Sequence, residues 1–341
     1  MMDMQKKTDT EVLLNVVDLA VGYDRKEKAL HQDINVSVNK GEFVCLLGPN
    51  GAGKSTLIKT LSGFLKPLSG DICFGDIRLQ DLTERQRAKR VSVVLTDKLQ
   101  VQNLTVFELV SLGRTPYTGY FGKLTDHDKA LVLRAIQEVG LGGFTHHYID
   151  KMSDGERQKA MIAKALVQET PFIILDEPTA FLDLPAKIEI MQLLRKLSRE
   201  SKRGILLSTH DLDMALQTAD KIWLLAQGKS MQQGIPEDLV LSNDFKSFFE
   251  RDGVYFDNNT GSFKYHSGNR IEVTLKGSGI AHEWVARALY RLGYKPVAKN
   301  SDWLIEVSSN GSHSFSLYKQ SKLLATCENI QELMQKITES M

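Results

Sequence analysis

The sequence has little cysteine. Cys45, Cys73 and Cys327 are the only three in 341 residues, and they lie far apart. An odd, scattered set excludes a disulfide framework and fits a reducing compartment. The chain also lacks an excess of either charge: 43 Lys and Arg face 42 Asp and Glu, a formal net charge of +1. That balance removes the electrostatic case for a dedicated nucleic-acid binder, so no nucleic-acid partner is expected. No apolar run approaches the roughly 18–20 residues needed to cross a bilayer. A role at a membrane therefore requires a membrane-embedded partner. The first residues carry no apolar stretch followed by a small-residue cleavage site, so no secretory leader is expected. Internal repeats and low-complexity tracts are missing too.

What is present suits a globular chain of two domains. Residues 12–22 and 34–39 pattern as short strands. Phe43-Val44-Cys45-Leu46-Leu47 is a compact apolar run, the pattern of a parallel-sheet strand buried on both faces. A helical pattern follows from Lys54 to Leu61. Two more buried-strand patterns, Phe172–Leu175 and Gly204–Ser208, flank an amphipathic helical stretch, Ala186–Ser201. This alternation predicts a doubly wound α/β core. A mostly helical insert interrupts it, about residues 98–168. Beyond residue 255 the pattern changes: a strand at 271–275, a helix at 281–292, three short strands around 295–318 and a final helix at 330–337. The expected division is a core domain at 1–255 and a small α+β domain at 256–341.

Gly48-Pro49-Asn50-Gly51-Ala52-Gly53-Lys54-Ser55-Thr56 fits G-x-x-x-x-G-K-[ST], after a buried strand and before a helix. Glycines let successive backbone N–H groups turn inward around phosphate oxygens. The helix N-terminus adds a favourable dipole field. Lys54 would reach the β- and γ-phosphates, and Ser55 would offer a hydroxyl to Mg²⁺. A second apolar strand, Phe172-Ile173-Ile174-Leu175, ends in Asp176-Glu177-Pro178. Carboxylates at the C-terminal end of a parallel strand face the ligand crevice. Asp176 is expected to hold Mg²⁺, and Glu177 to polarise an attacking water. Met152-Ser153-Asp154-Gly155-Glu156-Arg157-Gln158 opens another helical pattern with Ser153 as a good N-cap. His210 follows the next strand, after Ser208-Thr209.

In this order the motifs resemble those of the ABC ATPase family over about residues 12–255. GPNGAGKST resembles the Walker A loop, MSDGERQ the signature and FIILDEP the Walker B strand. Ala180-Phe181-Leu182-Asp183 resembles the D-loop and Ser208-Thr209-His210 the switch histidine. Tyr23 resembles the aromatic residue that stacks on adenine, with plain strand packing as the alternative. The resemblance implies a P-loop ABC cassette with a helical insert and a small C-terminal α+β domain. Its expected ligands are ATP and Mg²⁺. Two copies would sandwich ATP, with Ser153, Gly155 and Asp183 of one meeting the phosphate loop of the other. Lys54, Glu177 and His210 would form the catalytic set. Two departures stand out. Asp154 occupies the place of the first signature glycine. Thr96 stands where the family carries its Q-loop glutamine, leaving Asp97 beside it as a candidate metal ligand or, alternatively, a solvated loop acid.

Leu112-Gly113-Arg114-Thr115-Pro116-Tyr117 resembles the ATPases of iron-siderophore, haem and cobalamin importers, as does Ser208-Thr209-His210-Asp211-Leu212. That subtype implies a peripheral subunit on the cytoplasmic face of the inner (cell) membrane. It would sit beneath multi-span permeases fed by a substrate-binding protein, with residues 96–121 receiving the permease. A soluble non-transport ABC ATPase and an exporter ATPase are the alternatives.

Overall fold

The computed structural model describes residues 11–23, 29–95, 103–249, 254–257, 262–265, 271–298, 301–308 and 313–340. Thr96 and Asp97 lie outside the described residues. The chain forms two compact units, Met1–Arg251 with Tyr255–Lys264, and Asp252–Val254 with Tyr265–Met341.

The strands of the first unit are β1 (Val12–Val21), β2 (His31–Asn39), β3 (Phe43–Leu47), β4 (Ser69–Phe74), β5 (Ile77–Arg78), β6 (Val91–Val94), β7 (Phe172–Asp176), β8 (Gly204–Thr209), β9 (Lys221–Leu224) and β10 (Gln232–Gly234), with most of the two-stranded sheet of β11 (Val254–Asp257) and β12 (Ser262–Tyr265). Its helices are α1 (Lys54–Leu61), α2 (Glu84–Ala88), α3 (Val106–Ser111), α4 (Asp126–Glu138), α5 (Asp154–Val167), α6 (Leu184–Glu200), α7 (Leu212–Thr218), α8 (Pro236–Leu241) and α9 (Asp244–Phe249).

The central sheet runs β10-β9-β3-β8-β7-β6. Its middle strands pair in parallel, and β10 joins β9 antiparallel at the edge. β3 explains why such strands read as unbroken apolar runs. Phe43, Cys45 and Leu47 enter the core beneath α3, α5 and α6, while Val44 and Leu46 enter a second core on the opposite face. Alternate side chains leave a strand on opposite sides, so a sheet covered on both faces tolerates no polar register. The second core is closed by α1 and an antiparallel sheet, β2-β1-β4-β5. The early strands expected at 12–22 and 34–39 thus belong to this sheet rather than to the doubly wound layer. α3, α4 and α5 pack on one another as the helical insert. Among the described residues no helix is long and apolar enough to cross a membrane.

The second unit is a five-stranded mixed sheet, β14-β13-β15-β16-β17, with strands β13 (Ile271–Lys276), β14 (Tyr294–Val297), β15 (Trp303–Ser308), β16 (Ser314–Lys319) and β17 (Lys322–Cys327). Helices α10 (Ile280–Arg291) and α11 (Ile330–Ser340) give Val285, Leu289, Leu333 and Ile337 to the core with Val273, Ile305 and Leu317.

Candidate functional site

The loop between β3 and α1 is shaped by positions where only glycine fits. A Cβ on Gly48 would fall 2.1 Å from the Leu225 carbonyl oxygen. Gly53 caps α1 at φ 92°, and a Cβ there would meet Leu30 at 2.6 Å. At Gly48 the contact is with backbone, and at Gly53 the left-handed φ itself favours glycine. The loop is braced from two sides. His31 Nε2 lies 2.6 Å from the Ala52 carbonyl, and Gln227 Nε2 donates to the Gly51 carbonyl at 3.0 Å.

Lys54 is the first residue of α1 and is 6% exposed. Its ammonium donates to the carbonyls of Gly48 (2.9 Å) and Pro49 (3.3 Å). Burial pushes its pKa below the ordinary lysine value, against the pull of Glu177 and Asp176. Glu177 Oε1 stands 3.8 Å from Lys54 Nζ, and Glu177 Oε2 stands 3.6 Å from His210 Nδ1. One carboxylate, carried by the turn after β7, is therefore flanked by a fixed cation and an imidazole.

The turn is held in an unusual backbone state. Glu177 has φ 46°, in the left-handed region, which costs a residue with a Cβ about 1–3 kcal/mol and persists only where its surroundings enforce it. Ser208, opposite Asp176 in the β7–β8 pairing, supplies the restraint. Its hydroxyl accepts from the Glu177 N–H at 2.9 Å and donates to Asp176 Oδ1 at 2.6 Å. Asp176 and Ser208 are both buried.

Tyr23, Leu30, Asn50, Lys54, Ser55 and Glu177 line a cavity of about 520 Å³. The Tyr23 hydroxyl is 3.0 Å from Thr56 Oγ1, and its ring is 71% exposed at the cavity rim. The donor set here is hard oxygen: the Ser55 hydroxyl at the loop end and the Asp176 and Glu177 carboxylates. It fits Mg²⁺, which binds through one or two carboxylates plus substrate phosphates rather than in an all-protein cage. No cluster of three or more His, Cys, Asp or Glu side chains occurs among the described residues.

Ser153 caps α5 in a reciprocal capping box. Its hydroxyl accepts from the Glu156 N–H (3.3 Å), and the Glu156 carboxylate accepts from the Ser153 N–H (2.9 Å) and hydroxyl (2.8 Å). These hydrogen bonds hold the Glu156 carboxyl below its ordinary pKa. Asp154 pairs with Arg157 at 2.5 Å. A Cβ on Gly155 would lie 3.3 Å from the Ala186 side chain, so the start of α5 abuts the start of α6. Asp183 caps α6 by accepting from the Ala186 N–H at 3.0 Å. Ser153 and Asp183 are exposed, and so are Phe181 (73%) and Leu184 (63%) beside Asp183.

In the helical insert, Arg114 is 3% exposed and meets Asp128 (2.9 Å), Glu169 (2.6 Å) and the Val167 carbonyl (2.8 Å). The Tyr117 ring lies 4.1 Å from its guanidinium carbon, and the Tyr117 hydroxyl donates to the Gln168 carbonyl at 3.0 Å. Gln168 in turn donates to the Ala88 carbonyl at 2.6 Å, reaching the residues before β6. Tyr120 and Phe121, just beyond, are almost fully exposed.

Comparison with known proteins identifies the family. Residues 31–180 match the ABC transporter family model, and residues 270–338 match the iron ABC transporter C-terminal domain. An uncharacterized ABC transporter ATP-binding protein of Methanocaldococcus jannaschii is 42% identical over 228 residues, 67% of this chain and 78% of that protein. The chain belongs to the ABC transporter ATPases. The iron(3+)-hydroxamate import ATP-binding protein of Bacillus subtilis is 34% identical over 70% of this ABC ATPase and 88% of its own length. An inward-facing structure of a putative metal-chelate type ABC transporter superposes with a TM-score of 0.62 at 26% identity, over 70% of this chain and 89% of that one. A dimeric post-hydrolysis cassette bound to ADP and Pi gives 0.57 at 26% identity, over 65% and 98%. As an ABC ATPase the chain binds and hydrolyses ATP.

The structure brings Lys54, Ser55, Thr56, Tyr23 and Glu177 to one cavity and His210 to the Glu177 carboxylate. Within this ABC ATPase, sequence reasoning missed His31, Gln227 and the bridging role of Ser208. The first two act across long sequence separations and carry no local pattern. Ser208 had a signal, a hydroxyl beside an acid-bearing strand end, that was read only as part of the switch motif.

Proposed function

We propose that this chain is the ATP-driven motor subunit of an importer for metal chelates, in the iron-siderophore and cobalamin class. Two copies close around ATP. The phosphate loop and Lys54 of one copy bind the phosphates, and Ser153 and Gly155 of the other cover them. Exposed Ser153, Asp183, Phe181 and Leu184 support a face that meets a second copy.

The observation that carries the chemistry is Glu177 standing between Lys54 and His210. Water oxygen attacks the γ-phosphorus, the bond to the β–γ bridging oxygen breaks, and Glu177 takes the proton of the attacking water. Lys54 offsets charge on the γ-phosphate and on the leaving ADP, and His210, beside Glu177, stabilises charge on the γ-phosphate. Ser55 and Asp176 would hold Mg²⁺, which would supply charge neutralisation for the phosphates. Tyr23 at the rim stacks on adenine.

The importer reading rests on the relatives and on the match to the iron transporter C-terminal domain. The permease docks on the insert, where Tyr120 and Phe121 are exposed and the Arg114–Tyr117–Gln168 chain reaches the core. The subunit is thereby peripheral to the inner face of the membrane. Purification from membranes tests this: a multi-span partner should co-purify, and a substrate-binding protein should stimulate ATP turnover. Failure of any multi-span partner to co-purify would favour a soluble ABC ATPase, and a partner indifferent to binding protein would favour an exporter.

A further inference from the structure

The Ser208 hydroxyl contacts both residues at the end of β7, the Asp176 carboxylate and the Glu177 backbone N–H, and it can act in only one sense. Ser208 Oγ accepts from the Glu177 N–H at 2.9 Å, so its single proton is left for Asp176 Oδ1 at 2.6 Å. The Glu177 N–H is shared with the Ser208 carbonyl at 3.2 Å, so the backbone pairing survives without the hydroxyl. The short O–H···O⁻ contact to a buried carboxylate is the charge-assisted kind, stronger than a neutral hydrogen bond. It fixes the plane of the Asp176 carboxylate, and the contact to Glu177 helps keep that residue at φ 46°.

We infer that Ser208 is a positioning residue for the metal: it orients Asp176 toward the Mg²⁺–nucleotide and holds Glu177 in register with it. The inference rests on the ATPase reading above and deepens it. Ser208 touches neither nucleotide nor water in this account; it works through its two acidic neighbours. Partners one step removed from a metal ligand set ligand orientation, and losing one costs about 10–100-fold in metal affinity or activity.

A neighbouring pair supplies the control. Ser92, on β6 of the same sheet, accepts a 2.9 Å hydrogen bond from the Thr170 hydroxyl, with both residues buried. Ser92→Ala removes a buried hydroxyl without touching the acidic pair.

The test uses the full chain, a non-hydrolysable ATP analogue and calorimetric titration at a series of Mg²⁺ concentrations and in EDTA. Ser208→Ala should bind the analogue in EDTA within about twofold of the parent, while the Mg²⁺ concentration giving half-maximal enhancement rises about 10–100-fold. Ser208→Thr should restore the parent response, and Ser92→Ala should leave it unmoved. If Ser208→Ala does not fold, Ser208→Cys, similar in size with a weak donor, should show the same displaced Mg²⁺ response. A parent-like Mg²⁺ response in the folded Ala or Cys variant overturns the inference and leaves the ATPase reading intact. An equal displacement in Ser92→Ala overturns it as well, by making the effect general to the sheet. A parent chain that binds no nucleotide overturns both.

Discussion

Lys54 and Glu177 face one another at 3.8 Å, a cation from the start of α1 and a carboxylate from the turn after β7. They are 123 positions apart in sequence (177 minus 54) and share the nucleotide cavity. The parallel sheet brings the proposed general base within reach of the proposed phosphate-binding lysine, because both strand ends open on the same edge.

Lys54→Ala should weaken ATP binding itself. It removes a nearly buried ammonium that already meets two loop carbonyls. Loss of charged hydrogen bonds costs about 1.5–3 kcal/mol, or roughly 10–100-fold in affinity. Calorimetry of ATP binding checks this, and parent-like affinity would remove Lys54 from the phosphate site.

Mixed dimers test whether the site is shared. Ser153→Arg blocks the exposed start of α5, and Lys54→Ala disables the phosphate loop. Neither variant alone retains a working site, but each mixed dimer keeps one. Mixing the two folded, dimerising variants should restore ATP turnover above either parent variant. No recovery would count against closure in trans.

Asp128 makes acid stability predictable. Hydrogen bonds from Thr125, then the Arg114 guanidinium, lower its pKa from 3.8 to about 2. The folded state therefore holds its proton less tightly than the unfolded chain. This stabilisation is complete above the unfolded value of 3.8 and is lost as pH falls through about 2. Asp128→Asn should flatten the urea midpoint against pH over that window. At neutral pH it should cost roughly 1.5–3 kcal/mol, because Arg114 stays buried with one partner fewer.

The boundary of the cassette is testable by truncation. Phe256 is 4% exposed and stacks on Phe245 at a centroid distance of 5.4 Å, and Phe263 lies 5.3 Å from Phe256. We propose that a chain ending at Lys264 folds and binds ATP. A chain ending at residue 255 loses the Phe256 ring and should be less stable by about 3–5 kcal/mol. Equal urea midpoints for the two would place the boundary earlier.

Much of this was legible in the sequence for physical reasons. The phosphate loop is contiguous, and its glycines are required by close approach at Gly48 and by positive φ at Gly51 and Gly53, so spacing alone locates it. α1 was expected at Lys54–Leu61 and is found there, because the loop glycine sets its start. β4 and β5 went unseen because they are short and half-exposed, with little alternation to read. β17 was hidden for the opposite reason: Leu323 and Leu324 are apolar but exposed, so the buried face has no clear period. The Arg114 cluster joins residues up to 55 positions apart. The sequence marked the segment by resemblance but gave no sign that its arginine is buried.

The central claim is that Glu177 is the general base of a site closed by a second copy. Glu177→Gln keeps the shape and removes both the proton acceptor and a negative charge near the γ-phosphate. Turnover should fall by about 10²–10⁴ while ATP still binds. Gel filtration of the Glu177→Gln chain with MgATP, with turnover measured on the same sample, is the decisive measurement. The account predicts a stable dimer with turnover nearly abolished; a monomer, or a chain that turns over ATP at the parent rate, would contradict it.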